Sequence, residues 1–185
     1  MKISKPFKID FCLFWVIINP LRTNNKTTEK KMKGEEKIIK VLNELLAEEL
    51  TAISQYMVHS EICDSWGYEK LHTAIEKQAK EEMDHAEWLI QRVIFLEGMP
   101  IVQKLNAIKI GKTVVEMISN DTNAEKSAVK IYNDAIALAK ELKDYGTADL
   151  LTKILKMEEA HLDWEEIQQS QIDQMGLQNY LANQV

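Results

Sequence analysis

Two sets of three chemistry-bearing residues stand in this chain at one spacing. Glu49, Glu82 and His85 map onto Glu125, Glu158 and His161 by a constant shift of seventy-six residues. The last two of each set form the pattern Glu-x-x-His, which arises often by chance in Glu-rich helices. A doubled triplet with identical internal spacing does not. Four carboxylates and two imidazoles in this order are the ligand set of a two-metal carboxylate site inside a four-helix bundle. Such ligands suit Fe(II) or Mn(II) better than metals that prefer thiolates. In a symmetric site Glu49 and His85 hold one iron, Glu125 and His161 hold the other, and Glu82 and Glu158 bridge them. Each ion keeps open positions for dioxygen or peroxide, and two adjacent Fe(II) can deliver two electrons together.

The elements that position these residues are amphipathic helices. Residues three or four apart share a helix face. One stripe reads Ile38, Leu42, Leu45, Glu49, Ala52, Tyr56, and a second reads Leu71, Ile75, Gln78, Glu82, His85, Leu89, Leu96. A third reads Val114, Ile118, Asp121, Glu125, Ala128, Tyr132, Ala135, Leu142, and a fourth reads Leu151, Ile154, Glu158, His161, Glu165, Gln168, Ile172. In each, a ligand type occupies a place that packing alone would fill with Leu or Ile. An ionised carboxylate buried without a partner costs several kcal/mol. Four Glu charges against two divalent cations sum to zero and remove most of that cost. The bland alternative, four Glu at stripe edges reaching for water, does not account for the matched spacing.

At 185 residues the chain fits one domain with a sizeable core. Six Gly, three Pro and little β-branched alternation point to an all-α fold. A net charge of −6 argues against a nucleic-acid partner. Cys12 and Cys63 form no disulfide framework, which fits a reducing cytoplasm. Cys63 reads as a small core or boundary residue. The first thirty-one residues differ from the rest. Phe11 to Ile18 is an apolar run after Lys2, Lys5 and Lys8, too short to span a bilayer and followed by no small-x-small cleavage site. Thr23 to Lys33 is polar and charged. We read Met32 as the native start and residues 1–31 as a non-native or disordered extension preceding a domain over 32–185. A genuine export or anchoring signal is the alternative.

The periodicity predicts helices over about 35–64, 68–96, 113–144 and 147–175, with a short fifth helix over 177–185. Ser65-Trp66-Gly67, Gly98-Met99-Pro100 and Tyr145-Gly146 mark the breaks. Residues 100–112 lack helical periodicity and are long enough to cross a bundle when extended. Two hairpins joined by one long crossover is the ferritin-like topology. One detail is uneven: Glu125 and Glu158 are not centred on Tyr145-Gly146, so a kink, a bulge or a displaced turn is needed to level them.

These residues also resemble the bacterioferritins from Met32 to Val185. The marks are LLAEELTAISQY with Glu49, EEMDHAEWLIQRVIFLEGMP with Glu82, Met83 and His85, EEAHLDW with Glu158 and His161, and MGLQNYL from Met175 to Leu181. The resemblance implies an all-α ferritin-like bundle with a long crossover and short fifth helix. It further implies a two-iron ferroxidase centre in each chain, twenty-four chains forming a hollow iron-storing shell, and a cytoplasmic, membrane-free protein. Haem b is implied between two-fold-related chains with Met83 as axial ligand from each, and a ferredoxin-type reductase for iron release. The bland reading of Met83 is a flexible interface contact. Some bacterioferritins carry a His one turn before the acidic residue at Glu81, binding iron on the inner wall. Here that position is Lys77, which puts an inner-wall site in doubt and leaves Glu81 lining the cavity. Tyr56 and Trp164 lie near the ligand positions and suit either electron relay or core packing. Rival readings are a diiron or dimanganese peroxidase or catalase in the same bundle, a shell with a vestigial site, and a DNA-protecting mini-ferritin.

Overall fold

The computed structural model describes residues 34–185; the expectations for residues 1–31, Cys12 included, lie outside them. Five helices follow in order: α1 (Glu36–Ser65), α2 (Glu69–Phe95), α3 (Val114–Glu141), α4 (Tyr145–Met175) and α5 (Leu177–Ala182). Helix α1 packs along α2 and α3 along α4, and the two hairpins meet mainly through α1 and α3. The architecture is the all-α bundle with a long crossover and a short final helix. Among the described residues no helix is long and apolar enough to cross a membrane.

Both hairpins turn by the same device. At the end of α1, Gly67 N–H donates to Asp64 O and Tyr68 N–H to Cys63 O, with Gly67 at φ 79°. At the end of α3, Lys143 N–H donates to Lys140 O and Asp144 N–H to Ala139 O, with Lys143 at φ 58°. Each is a helix stop that spends one left-handed residue to satisfy two terminal carbonyls. Gly67 and Lys143 are themselves seventy-six residues apart. The second turn therefore lies at 142–144 and not at Tyr145-Gly146, which already belong to α4. This displaced turn removes the unevenness that the sequence suggested. Glu49 and His85 lie eighteen residues either side of Gly67, and Glu125 and His161 lie eighteen either side of Lys143. The Tyr145-Gly146 signal misleads because Asp144 starts α4 at once, accepting Thr147 N–H at 3.1 Å while held by Arg92 at 2.6 Å.

Lys143 makes the left-handed turn without glycine's freedom, a cost of about 1 kcal/mol. Lys143→Gly is expected to stabilise the chain by up to about 1 kcal/mol, less whatever glycine gives back in unfolded-state entropy. Chemical denaturation of the two proteins checks the sign.

The crossover from Gly98 to Thr113 runs extended beside α1, which supplies the hydrogen bonds that the crossover cannot make with itself. Asn43 Oδ1 accepts from Ile101 N, Thr51 Oγ1 from Asn106 N, Gln55 Oε1 from Lys109 N and His59 Nε2 from Gly111 N. These four side chains recur at helical spacing on one face of α1, a polar stripe that the hydrophobic reading passed over. Since His59 Nε2 accepts, its Nδ1–H donates to Asp121 Oδ2 at 2.8 Å, tying the crossover to α3. Gly111 is required here: a Cβ would lie 2.4 Å from Met117 N. Apolar clusters fill the bundle on both sides of its polar middle. One is built around Leu45, Leu89 and Ile154, the other around Leu71, Met117 and Tyr180. Cys63 is buried in the second. Tyr180 anchors α5, its hydroxyl donating to Gln168 Oε1 at 3.0 Å.

Candidate metal centre

All six residues of the doubled triplet point into the polar middle of the bundle, and none is more than 6% exposed. They form two overlapping groups: Glu49, Glu82, His85 and Glu158, and Glu82, Glu125, Glu158 and His161. Within each group the candidate ligand atoms lie within 4.8 Å of one another. Glu82 and Glu158 belong to both groups. Glu49 and His85 belong only to the first, Glu125 and His161 only to the second.

The pairing follows from the two turns. Each hairpin places a Glu of one helix level with a His of the next, and the second Glu lies one turn from that His on the same face. His85 Nδ1 lies 2.7 Å from Glu82 Oε2, 3.0 Å from Glu158 Oε1 and 3.6 Å from Glu49 Oε2. His161 Nδ1 lies 2.9 Å from Glu82 Oε1, 3.8 Å from Glu125 Oε1 and 3.9 Å from Glu158 Oε2. The imidazole rings stack 6.1 Å apart.

Proximity here is not the same as satisfaction. Glu82 Oε1, Glu158 Oε1 and His161 Nδ1 are buried yet make no properly directed hydrogen bond. They aim at shared space and not at one another. Buried polar atoms are rarely left so, and an ion is one of the standard reasons. Four carboxylates and two imidazole nitrogens converging on two overlapping points is a donor set that a pair of divalent ions fits.

The charges of the metal-free centre agree. Burial pushes the Glu49 and Glu158 carboxyls up to about 8, and neighbouring carboxylates add to it. Burial and the nearby Glu158 and Glu82 carry Glu125 well above the usual range. Glu82 goes the other way: burial opposes its charge, but His161 and His85 outweigh it and hold the carboxylate at about 2. Burial also opposes charge on His85, but Glu158, Glu49 and Glu82 raise it to about 12.

Two further residues belong to the repeat. Tyr56 donates its hydroxyl to Glu125, and Tyr132 donates to Glu49. These tyrosines are also seventy-six residues apart. Each reaches across to the other hairpin, so the repeated unit is four residues long. The sequence reading placed Tyr56 near the site and left Tyr132 as packing; the same shift identifies Tyr132. Beyond the histidines, His161 Nε2 meets Glu81 Oε2 at 3.1 Å, and Lys77 Nζ meets Glu81 Oε1 at 2.8 Å. His85 Nε2 faces Met157 Sδ at 3.4 Å. Both contacts cross between helices, so the stripes read along single helices do not show them. Trp164 is half-buried and lines a side pocket with Lys77, Glu81 and His161. A cavity of ≈ 160 Å³ reaches Glu49, Glu82, Glu125 and Glu158 from between α1, the crossover and α3. Met83 lies apart from the cluster, on the outside of α2 and 54% exposed.

Paired hairpins, one long crossover and a carboxylate–imidazole interior define the ferritin-like class of bundle. Residues 39–175 match the ferritin family's ferritin-like domain. The chain is 40% identical over 155 residues to a bacterial ferritin of Synechocystis, covering 83% of this chain and 99% of the relative. It is 38% identical over 149 residues to a bacterioferritin of Rhodobacter capsulatus, covering 80% and 92%. A bacterioferritin of Mycolicibacterium paratuberculosis is 36% identical over 151 residues, covering 82% and 95%. The chain belongs to the bacterioferritin family.

Proposed function

We propose that this chain is a subunit of an iron-storing shell and that its buried cluster is the centre at which Fe(II) is oxidised. The observation that carries the reading is the pair of overlapping ligand groups sharing Glu82 and Glu158. A shared carboxylate holds two ions at bridging distance, which a single site does not need. Paired Fe(II) supplies two electrons together to dioxygen or peroxide. The protein's part is to bind, orient and unload protons. Glu49 and His85 would hold one ion and Glu125 and His161 the other, with Glu82 and Glu158 available to both. Tyr132 and Tyr56 fix the outer carboxylates by hydrogen bonds, leaving each Glu a free oxygen for metal. The close-packed helices exclude bulk water, and the cavity beside the crossover offers Fe(II) and oxidant a way in.

The reading extends to assembly and haem. The relatives are named as bacterioferritins, and a cage of twenty-four chains accounts for the exposed apolar residues of the crossover, Ile101, Val102, Leu105, Ile108 and Ile110. An exposed thioether on α2 beside a metal ligand fits a haem ligand shared with a second copy. In that arrangement haem would be reduced by a ferredoxin-type reductase and serve iron release.

Adding Fe(II) to metal-free protein in air tests the proposal. A fast oxidation phase should saturate at about two irons per chain, in a particle whose native mass is that of a cage. A monomer or dimer with hydrogen-peroxide-consuming activity would favour the peroxidase or catalase alternative. Slow oxidation with no break at two irons would overturn the assignment.

A further inference from the structure

The two halves of the centre are alike in ligands and unlike in what holds the ligands. A histidine that binds metal through one ring nitrogen is oriented by the partner of the other nitrogen. His161 presents Nδ1 to the cluster and donates Nε2–H to the Glu81 carboxylate at 3.1 Å. Glu81 is in turn held by Lys77 Nζ at 2.8 Å, one helical turn away. His85 presents Nδ1 in the same way, but its Nε2 faces only the Met157 thioether, a weak acceptor. The repeat itself predicts this difference. The residue seventy-six after Glu81 is Met157, so the position that carries a carboxylate in one half carries a thioether in the other.

We propose that Glu81, braced by Lys77, is a positioning residue for His161 and makes the Glu125–His161 position the tighter of two unequal metal positions. The inference rests on the metal-binding reading above. A carboxylate acceptor fixes the ring, fixes the tautomer with Nδ1 free for metal and raises the basicity of that nitrogen. A thioether does none of these strongly. The Lys77 ammonium binds one oxygen of the Glu81 carboxylate while the other meets His161.

Co(II) titration of the metal-free full-length protein without oxygen, followed by visible absorption, reads the two positions directly. Wild type should take up two Co(II) per chain in two resolved steps. Glu81→Ala should weaken the tighter step by about 10- to 100-fold and leave the weaker one unchanged. Glu81→Gln, which retains an acceptor without the charge, should recover part of that loss. Lys77→Met should shift the same step in the same direction by less. Met157→Leu should leave the tighter step as it is. Cage mass and thermal midpoint, unchanged in all four variants, separate positioning from misfolding. Two resolved steps with Glu81→Ala indistinguishable from wild type would overturn the inference alone. So would an equal weakening of both steps. No Co(II) uptake by wild type would overturn both the inference and the metal-binding reading under it.

Discussion

Replacing Glu82 by Gln should abolish the fast oxidation of Fe(II) and remove both Co(II) positions at once. Glu82 lies closer than Glu158 to both imidazole nitrogens, at 2.7 Å from His85 and 2.9 Å from His161 against 3.0 Å and 3.9 Å. It is also the one held ionised in the metal-free protein, at about 2, while burial raises Glu49 and Glu158 to about 8. A shared, charged ligand counts for both ions. Removing residues that merely orient metal ligands costs about 10- to 100-fold in affinity or activity, so losing a bridging ligand should exceed about 100-fold. Gln is preferred to Ala because it keeps the volume and avoids a cavity. His161→Ala makes a contrasting comparison. It belongs to one group only, so it should lower Co(II) uptake from two per chain to one while also ending the fast phase, which needs both ions. Stopped-flow oxidation and Co(II) titration measure the pair. Wild-type oxidation in Glu82→Gln would remove Glu82 from the centre.

The same charges give a pH dependence with a definite sign. At pH 7 the metal-free protein keeps protons on Glu49 and Glu158, whose carboxyls lie near 8, and on His85, raised to about 12. Metal takes their place, so binding must release protons. Apparent Co(II) affinity should therefore rise with pH through 7 toward 8, by about tenfold per unit for each proton still bound. Calorimetry in two buffers of different ionisation enthalpy counts the protons. A count of zero would mean that the carboxyls were already ionised.

The helices were legible because hydrophobic periodicity survives in single sequences, and all five spans agree with it to within about three residues. The six-residue cluster was legible because a repeat needs no alignment beyond the chain itself. The turn at 142–144 was not, because Lys143 adopts a left-handed conformation that the eye assigns to glycine, and Tyr145-Gly146 offered a false one nearby. Tyr132 was legible in principle, by the same shift that relates the ligands, but a buried tyrosine in an apolar stripe reads first as packing. The polar stripe Asn43, Thr51, Gln55 and His59 reads as solvent-facing until the crossover lies on it. Such partners are far apart in sequence, and only the fold pairs them. Asp121 and Glu165 show the limit of the repeat. Their counterparts are Leu45 and Leu89, so the two ends of the bundle differ, one apolar and one with a buried carboxylate oxygen of Glu165 left without a partner.

Met83→Leu should remove haem and leave iron oxidation intact. Met83 follows Glu82 directly, and consecutive residues on a helix point about 100° apart. The structure bears this out in exposure: Glu82 is 1% exposed and Met83 54%. On the proposed reading, the exposed Met83 thioether would hold haem together with a second copy of the chain. Haem content should then track dimerisation and reach at most one per two chains. Haem so held would supply electron transfer. Leucine matches methionine in volume, and a swap of this kind costs under about 1.5 kcal/mol even when buried. The outward residue can therefore be changed without disturbing Glu82 or His85. Absorption spectra of purified wild type and Met83→Leu protein, each reconstituted with haem, read the result. The low-spin spectrum should vanish in the variant while its fast Fe(II) oxidation and cage mass persist. An unchanged low-spin spectrum would place the ligand elsewhere, and loss of oxidation together with haem would mean that the two functions of α2 are not separable as its geometry implies.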